Sequence, residues 1–340
     1  MITMKPTNFA KYLTRFLSDY LVFQKNASKN TIYSYRDTFK LLIRYCQDVE
    51  NISIEQMTMS VLSDNLIIDF LNWLETERKC SVSTRNQRLA AIHSFYRYVQ
   101  AEDPIGILYF QKVIAIPLKK TTKKSVEYLT VEAMQLLLEQ PDRHTPKGRR
   151  ALALMSLLYD SGARVQELID LRVCDVKLEN SPVIILTGKG NKTRRVPILT
   201  NTTLLLRNYL LENNLKTDWK NEYPLFTNNQ NHKLTREGVN YIIHKYVKLA
   251  RKTSTIIPEK VNAHMFRHSK AMYLLQAGIN LIYIRDFMGH VDLKTTEIYA
   301  RADTETKRKA IESIAPDLVD SNLPDWSKDD ALLSWLIKLQ

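Results

Sequence analysis

The chain has 340 residues, enough for two domains that each bury a core, and its hydrophobic content of 44% is that of an ordinary folded protein. The longest apolar stretch, "ALALMSLLY" at 151–159, is far short of the about 18–20 residues that span a bilayer, and the first residues carry no secretory-signal pattern. Three scattered cysteines, Cys46, Cys80 and Cys174, form neither a zinc pattern nor a disulfide framework and suit a reducing cytoplasm, while a net charge of +13 favours a polyanionic partner such as nucleic acid.

The first hundred residues read as helices. In "NFAKYLTRFLSDYLVFQ", Phe9, Tyr12, Leu13, Phe16, Tyr20, Leu21 and Phe23 recur mostly at three- and four-residue intervals. Ser28 is an N-cap for the helix in "SKNTIYSYRDTFKLLIRYCQDV", and Ser63 one for "SDNLIIDFLNWLETE". A fourth helix is expected in "STRNQRLAAIHSFYRYVQ", with Leu89, Ile92, Phe95, Tyr96 and Val99 as its apolar stripe. Short connections between four helices predict a small bundle.

Between Pro104 and Val126 the pattern breaks. "PLKKTTKKS" carries Lys119, Lys120, Lys123 and Lys124 without an acid, which is either a solvated linker or a strap along a phosphate backbone. A second domain begins near Tyr128. Thr130 caps a helix in "LTVEAMQLLLEQP", and a mainly apolar helix runs from about Lys147 to Tyr159 and ends at Gly162. The period then changes: Val183 to Thr187 and Thr193 to Ile198 read as two strands joined by a turn of Gly188, Gly190 and Asn191. Helices are expected at 204–212, 236–253, 266–277, 280–288 and 294–300, so the domain is mainly α with a small β-sheet; no internal repeat or low-complexity tract is visible.

The residues that carry chemistry are basic. Arg164, just after the turn at Gly162, opens a short helix, where a cation sits beside the positive end of the helix dipole. It is either a surface arginine paired with Glu167 or half of an anion site shared with backbone N–H groups. Lys189 lies on the hairpin with Lys192, Arg194 and Arg195, either as a solvated edge or as a cation for a phosphate. In "HMFRHS", His264 and His268 have ligand spacing on a helix, but the zincin pattern needs glutamate where Met265 stands. No carboxylate cluster suits magnesium, so a His264–Arg267 pair facing phosphate is the better reading. His290 follows Gly289 at a helix end. Tyr299 lies on the next helix, and its hydroxyl, with a free pKa of about 10, is a poor nucleophile unless cations stabilise the developing charge.

Taken together, Arg164, Lys189, His264, Arg267, His290 and Tyr299 stand in the order and spacing of the tyrosine recombinases, or phage integrase family. "SGARVQELIDL" resembles the family's first arginine motif, "TGKGNKTRRVPI" its lysine hairpin, and "HMFRHSKAMYLLQAGINLIYIRDFMGHVDLKTTEIYA" its second motif. His290 follows His264 by 26 positions and Tyr299 follows His290 by 9, spacings similar to those of Xer-type members. The likeness covers about Leu129 to Ala300 and, more loosely, the N-terminal bundle. One departure is Ala263, where many relatives carry proline before the histidine; it loosens the start of that helix and removes no chemical group.

The resemblance implies an N-terminal helical, SAM-like core-binding domain (1–110), a basic linker (111–126), a catalytic domain (127–303) and a tail (304–340). It implies that Tyr299 attacks a DNA phosphodiester to form a 3′-phosphotyrosyl link and release a 5′-hydroxyl. Arg164 and Arg267 would grip the non-bridging oxygens, Lys189 would protonate the leaving 5′-oxygen, His264 would assist the tyrosine proton or the phosphate, and His290 would hydrogen-bond the phosphate. Neither ATP nor a metal is implied, and no cofactor. Arg85 and Arg88 on the fourth helix, the linker lysines, Lys192 and Arg194 would contact DNA, the two halves closing on it as a C-shaped clamp. The implied partners are double-stranded recombination sites, other copies of the chain in a tetramer on paired sites (a monomer or weak oligomer without DNA), and in some systems an accessory protein, with no membrane. The expected place is the bacterial cytoplasm, on the nucleoid when bound. The implied event is integration, excision or transposition of a mobile element, with chromosome-dimer resolution as the alternative; a type IB topoisomerase and an inactive DNA-binding protein are the other readings. No extra arm-binding domain is expected before the bundle.

The tail ends in "SKDDALLSWLIKLQ". Ser327 reads as an N-cap with Asp329 and Asp330 in the first turn, and Leu332, Trp335, Leu336 and Leu339 form a stripe about two turns long. So short a helix must dock to be stable, on its own domain or, as the resemblance implies, on a neighbouring protomer.

Overall fold

The computed structural model describes residues 5–121, 126–216 and 218–303, with two isolated positions at 334 and 338. The chain divides into two compact units, Met1–Lys124 and Ser125–Gln340. Lys123, Lys124 and, but for positions 334 and 338, the tail helix expected after Pro324 lie outside the described residues. No described helix is long and apolar enough to cross a membrane.

The N-terminal unit contains α1 (Asn8–Arg15), α2 (Lys29–Asp48), α3 (Asp64–Thr76), α4 (Val82–Glu102) and α5 (Ile107–Ile114). The expected serine caps form: the Ser28 and Ser63 hydroxyls accept from Thr31 N and Leu66 N, each at 3.2 Å. Helix α4 starts slightly earlier than its sequence suggests, because Ser81 supplies its cap. Beyond α1 the helix widens over Phe16–Gln24, where Lys25 N donates to the Tyr20 carbonyl five residues back. Phe16 and Tyr20 from this segment both pack on Tyr98 of α4, with centroids 5.5 and 4.8 Å away. Phe16, fully buried, also meets Phe39 and Phe95, and burying one such ring contributes about 1.5–3 kcal/mol.

Helix α5 corrects the expected break after Pro104. Proline opens a short 3₁₀ turn there, and α5 follows with Phe110 and Val113 in the core of this unit, joined by Ile116. The helix crosses position 110, so the segment expected as linker belongs in its first part to the N-terminal unit.

The C-terminal unit is built around α7 (Pro146–Ser161), buried on nearly all sides from Ala151 to Leu158 and packed against α9 (Thr200–Glu212) and α11 (Ala263–Gln276). Thr130 caps α6 (Val131–Glu139), as its sequence indicates. A three-stranded antiparallel sheet has the order β1 (Val176–Lys177), β2 (Val183–Thr187), β3 (Thr193–Pro197). Strand β1 is too short to be seen as a period in the sequence. Pairing Ile184 with Val196 and Leu186 with Arg194 puts all four on one face, and its three apolar members are buried. Helices α8 (Val165–Asp170), α10 (Arg236–Ala250), α12 (Leu281–Met288) and α13 (Lys294–Ala302) complete the unit. A buried ion pair fastens α11 to α7: Lys270 Nζ lies 3.1 Å from Asp160 Oδ1, while Asp160 Oδ2 accepts from Leu199 N.

Candidate active site

Two helix ends aim their carbonyls into one place. Helix α7 stops at Gly162, in the left-handed region at φ +57°, and α12 stops at Gly289, at φ +62°. The last carbonyls of a helix have no intrahelical partner and carry its negative pole. Three arginines satisfy them here. Arg267 Nη1 donates to the Gly162 carbonyl at 2.6 Å and Nη2 to that of Met288. Arg164 Nη2 donates to the Gly289 carbonyl at 3.1 Å, and Arg194 Nε to that of Phe287 at 3.0 Å.

Glu167 ties two of these guanidiniums together. Its Oε1 accepts from Arg164 Nη1 at 2.7 Å and Arg194 Nη1 at 3.0 Å, while Oε2 accepts from Arg194 Nη2 at 2.7 Å and the Arg164 backbone N–H at 2.9 Å. Burial pushes this carboxyl up, yet its bonds to Arg194 and to Arg164 outweigh burial and hold it at about 2. The hairpin is close to the same carboxylate, since a Cβ added at Gly188 would stand 2.9 Å from Glu167 Oε1. An open recess of about 500 Å³ between hairpin and α12 end is lined by Arg164, Lys192, Arg194, Gly289 and His290.

The histidines and the tyrosine complete the cluster. Asn262 caps α11, accepting from His264 N and Met265 N, so the start of this helix is fixed with Ala263 at its first position, against the expected loosening. His264 and His268, one turn apart, meet edge to face with centroids 4.6 Å apart. His268 Nδ1 lies 3.0 Å from the Tyr299 hydroxyl. Tyr299 is 1% exposed, set among Ala271, Met272, Ile284 and Met288, and its ring runs nearly parallel to His290 at 6.3 Å. His290 Nδ1 is held 2.8 Å from the buried Thr296 hydroxyl, which leaves the other ring nitrogen for a further partner.

Cation crowding and burial set the protonation states. Burial, then Arg267 and Arg164, push His264 down; burial, His264 and Arg267 bring His268 to about 4; burial and the three arginines bring His290 to about 4. His268 and His290 are therefore neutral at neutral pH. Burial pushes the Tyr299 hydroxyl up, opposed by Arg267 and Arg164. Arg267 itself falls to about 10 through burial and the nearby Arg164, remaining charged. Such a group of guanidiniums and neutral imidazoles around a hydroxyl suits stabilisation of an oxyanion on a bound phosphate.

Of the residues singled out from sequence, Arg164, His264, Arg267, His290 and Tyr299 converge here, and Lys192 lines the recess. Lys189 sits in the hairpin turn before Gly190 (φ +76°), its side chain being outside the described part. Arg194 is turned inward to Glu167, which corrects its expected place on a DNA-facing surface; its register beside Val196 on the core face is the reason. Arg85 is corrected likewise. It is 5% exposed and donates to the Asn86 side chain and the Pro117 carbonyl, because it lies one turn before Leu89 on the apolar stripe of α4. Arg88 is half-buried and donates to Thr38 Oγ1, Lys119 pairs with Glu75, and Lys120 is exposed. Sequence reasoning missed His268 as the partner of Tyr299, although its helical spacing from His264 placed both on one face. It also missed Thr296. Among the described residues no group of three or more His, Cys, Asp or Glu is placed to hold a metal ion.

Comparison with known proteins fixes the family. Residues 127–306 match the phage integrase family, and residues 13–103 match the phage integrase N-terminal SAM-like domain. The chain belongs to the phage integrase family. It is similar to the y4rC protein of Sinorhizobium fredii, 34% identical over 98% of this chain and 99% of that one. It is also similar to the tyrosine recombinase XerC of Thermodesulfovibrio yellowstonii, 30% identical over 87% of this chain and 93% of that one. Among solved structures, XerH site-specific recombinase in a post-cleavage complex with palindromic difH substrate shares the fold, with a TM-score of 0.67 and 24% identity over 85% of this chain and 81% of that one. The phage integrase member described here is a tyrosine-type site-specific recombinase, mostly helical, with a SAM-like domain followed by a catalytic domain.

Proposed function

We propose that the protein cuts and rejoins DNA at paired recombination sites through a 3′-phosphotyrosyl link on Tyr299. The observation that carries this reading is the convergence of Arg164, Arg267 and His290 on the hydroxyl-bearing pocket of Tyr299, where each guanidinium is held by a helix-end carbonyl. Arg164 and Arg267 stabilise charge on the non-bridging oxygens, His290 donates to the phosphate, and His264 assists the phosphate or the tyrosine proton. Lys189 is the general acid for the 5′-oxygen. Because the covalent link conserves the bond, neither ATP nor a metal takes part. Lys120 and Lys192 add phosphate contacts, as do Arg88 on α4 and Lys119, Lys123 and Lys124 beside Lys120 in sequence.

The active assembly is a tetramer on two sites, formed by a bacterial cytoplasmic protein that joins the nucleoid when bound. The event it serves is integration, excision or transposition of a mobile element, with chromosome-dimer resolution as the alternative. The test is adduct formation on nicked duplex, with and without EDTA and nucleotide, followed by strand exchange between two sites. Tyr299→Phe should bind and yield no adduct; an adduct in that variant overturns the reading. Relaxation of supercoils without exchange would make the protein a topoisomerase.

A further inference from the structure

The hydroxyl of Tyr299 has its hydrogen-bond partner on α11, and that partner is neither His264 nor His290. It is His268, 3.0 Å away through Nδ1. The imidazole is itself fixed, its ring edge to face with both His264 at 4.6 Å and Tyr299 at 5.6 Å. A tyrosine attacking phosphorus must lose its proton, and a base has to lie within hydrogen-bond reach of it. We propose that His268 accepts the phenolic proton of Tyr299 during strand cleavage, an inference that rests on Tyr299 being the nucleophile.

The step balances as follows. The Tyr299 oxygen forms a bond to phosphorus while the bond from phosphorus to the 5′-oxygen breaks. The phenolic proton moves to Nδ1 of His268, and the departing 5′-oxygen receives a proton from the general acid, the role proposed for Lys189. On rejoining, the imidazolium returns its proton to the phenolate. Burial with His264 and Arg267 close by keeps His268 neutral, and in the tautomer protonated at Nε2 its Nδ1 accepts the O–H. The same cations oppose an imidazolium until an anion enters; a phosphodiester seated on Arg164 and Arg267 supplies it. Proton transfer is thereby tied to DNA being in place.

The experiment uses the full chain and a nicked duplex built on the site that the chain selects from a random-sequence duplex library. His268→Asn keeps a polar side chain of similar reach but no base, and His268→Leu removes both. Each should slow single-turnover adduct formation about a hundredfold, at the low end for a general base, with affinity for the same duplex within about twofold. Placing 3,5-difluorotyrosine, a far more acidic phenol, at position 299 should largely erase the His268→Asn defect. If His268→Leu does not fold, His268→Asn alone decides. A wild-type rate in His268→Asn, or a defect that difluorotyrosine leaves undiminished, overturns the proposal. An adduct formed by Tyr299→Phe overturns the nucleophile assignment instead, so the two failures are told apart.

Discussion

Glu167 and Arg194 form a two-pronged ion pair, Nη2 to Oε2 at 2.7 Å and Nη1 to Oε1 at 3.0 Å, that joins the strand after the lysine hairpin to the helix opened by Arg164. Both side chains are largely buried, and fork-to-fork geometry fixes orientation as well as energy. Arg194 thus sets where Glu167 stands, and Glu167 sets the guanidinium of Arg164. Arg194→Lys keeps the charge and loses the fork. It should slow adduct formation while half-site affinity changes little, a split read from single-turnover rate against binding.

The same carboxylate gives a pH dependence with a definite sign. Glu167 is held at about 2 against an ordinary 4.5, so the stability it contributes is complete above about 4.5 and is lost as pH falls toward 2. His268 and His290, held near 4 against 6.5, add acid lability that begins below about 6.5. Denaturation followed by circular dichroism should show stability falling in these two successive windows. In Glu167→Gln the lower window should flatten, and an unchanged profile below 4.5 would contradict the assignment.

Arg164 is the cleanest probe of the anion site because its side chain is about a third exposed, whereas Arg267 is buried and also structural. Arg164→Ala should lower single-turnover cleavage about 10²–10³-fold, as for loss of one donor to a developing oxyanion. Its thermal midpoint should fall less than that of Arg267→Ala, because Glu167 keeps Arg194 while only the Gly289 carbonyl loses its donor.

Lys189→Ala should be slow on ordinary DNA and recover on a substrate whose 5′ leaving group is a thiolate, which departs without a proton. Equal defects on both substrates would remove Lys189 from the acid role.

Much of this molecule was legible in the chain itself, and the failures have physical causes. Ser28, Ser63 and Thr130 marked helix starts because a hydroxyl before an apolar period has one favourable use, accepting from an unpaired backbone N–H. Helix α5 was hidden by Pro104, which reads as a breaker but here occupies a first-turn position where its missing N–H costs nothing. Arg85 and Arg194 were assigned to DNA by the resemblance, when helical and strand periods had already placed them on inward faces beside Leu89 and Val196. His268 was invisible as the Tyr299 partner because that contact depends on how α11 packs against α13, which spacing within one helix does not report.

Lys270 and Asp160 offer a stability test away from the phosphate site. Both are buried, 7% and 4% exposed at the side chain, so removing the ammonium strands a carboxylate that keeps only the Leu199 N–H. Lys270→Met should cost about 3–5 kcal/mol in urea unfolding. The double variant with Asp160→Leu should recover part of that loss, since two apolar side chains replace a desolvated pair.

Arg85 and Lys120 separate structure from DNA contact within the N-terminal half. Arg85 bonds the Pro117 carbonyl at 3.2 Å, and its neighbour Asn86 both donates to the Lys119 carbonyl and accepts from the Lys119 N–H. The start of α4 therefore clasps the chain as it leaves α5, and the Arg85 charge is spent inside the protein. Lys120, one residue beyond the clasp, is exposed and carries its charge into solvent. Each lysine or arginine that neutralises a phosphate releases condensed counterions, which steepens the fall of binding with salt by about 0.9 in the log–log slope. Lys120→Ala should accordingly reduce that slope by about one and leave the thermal midpoint alone. Arg85→Ala should do the reverse, lowering the midpoint because the Pro117 carbonyl loses its donor and the apolar stripe of α4 gains a void, with the salt slope unchanged. Titrations of the two variants against one duplex at several salt concentrations decide it: a reduced slope in Arg85→Ala would return that arginine to the DNA surface.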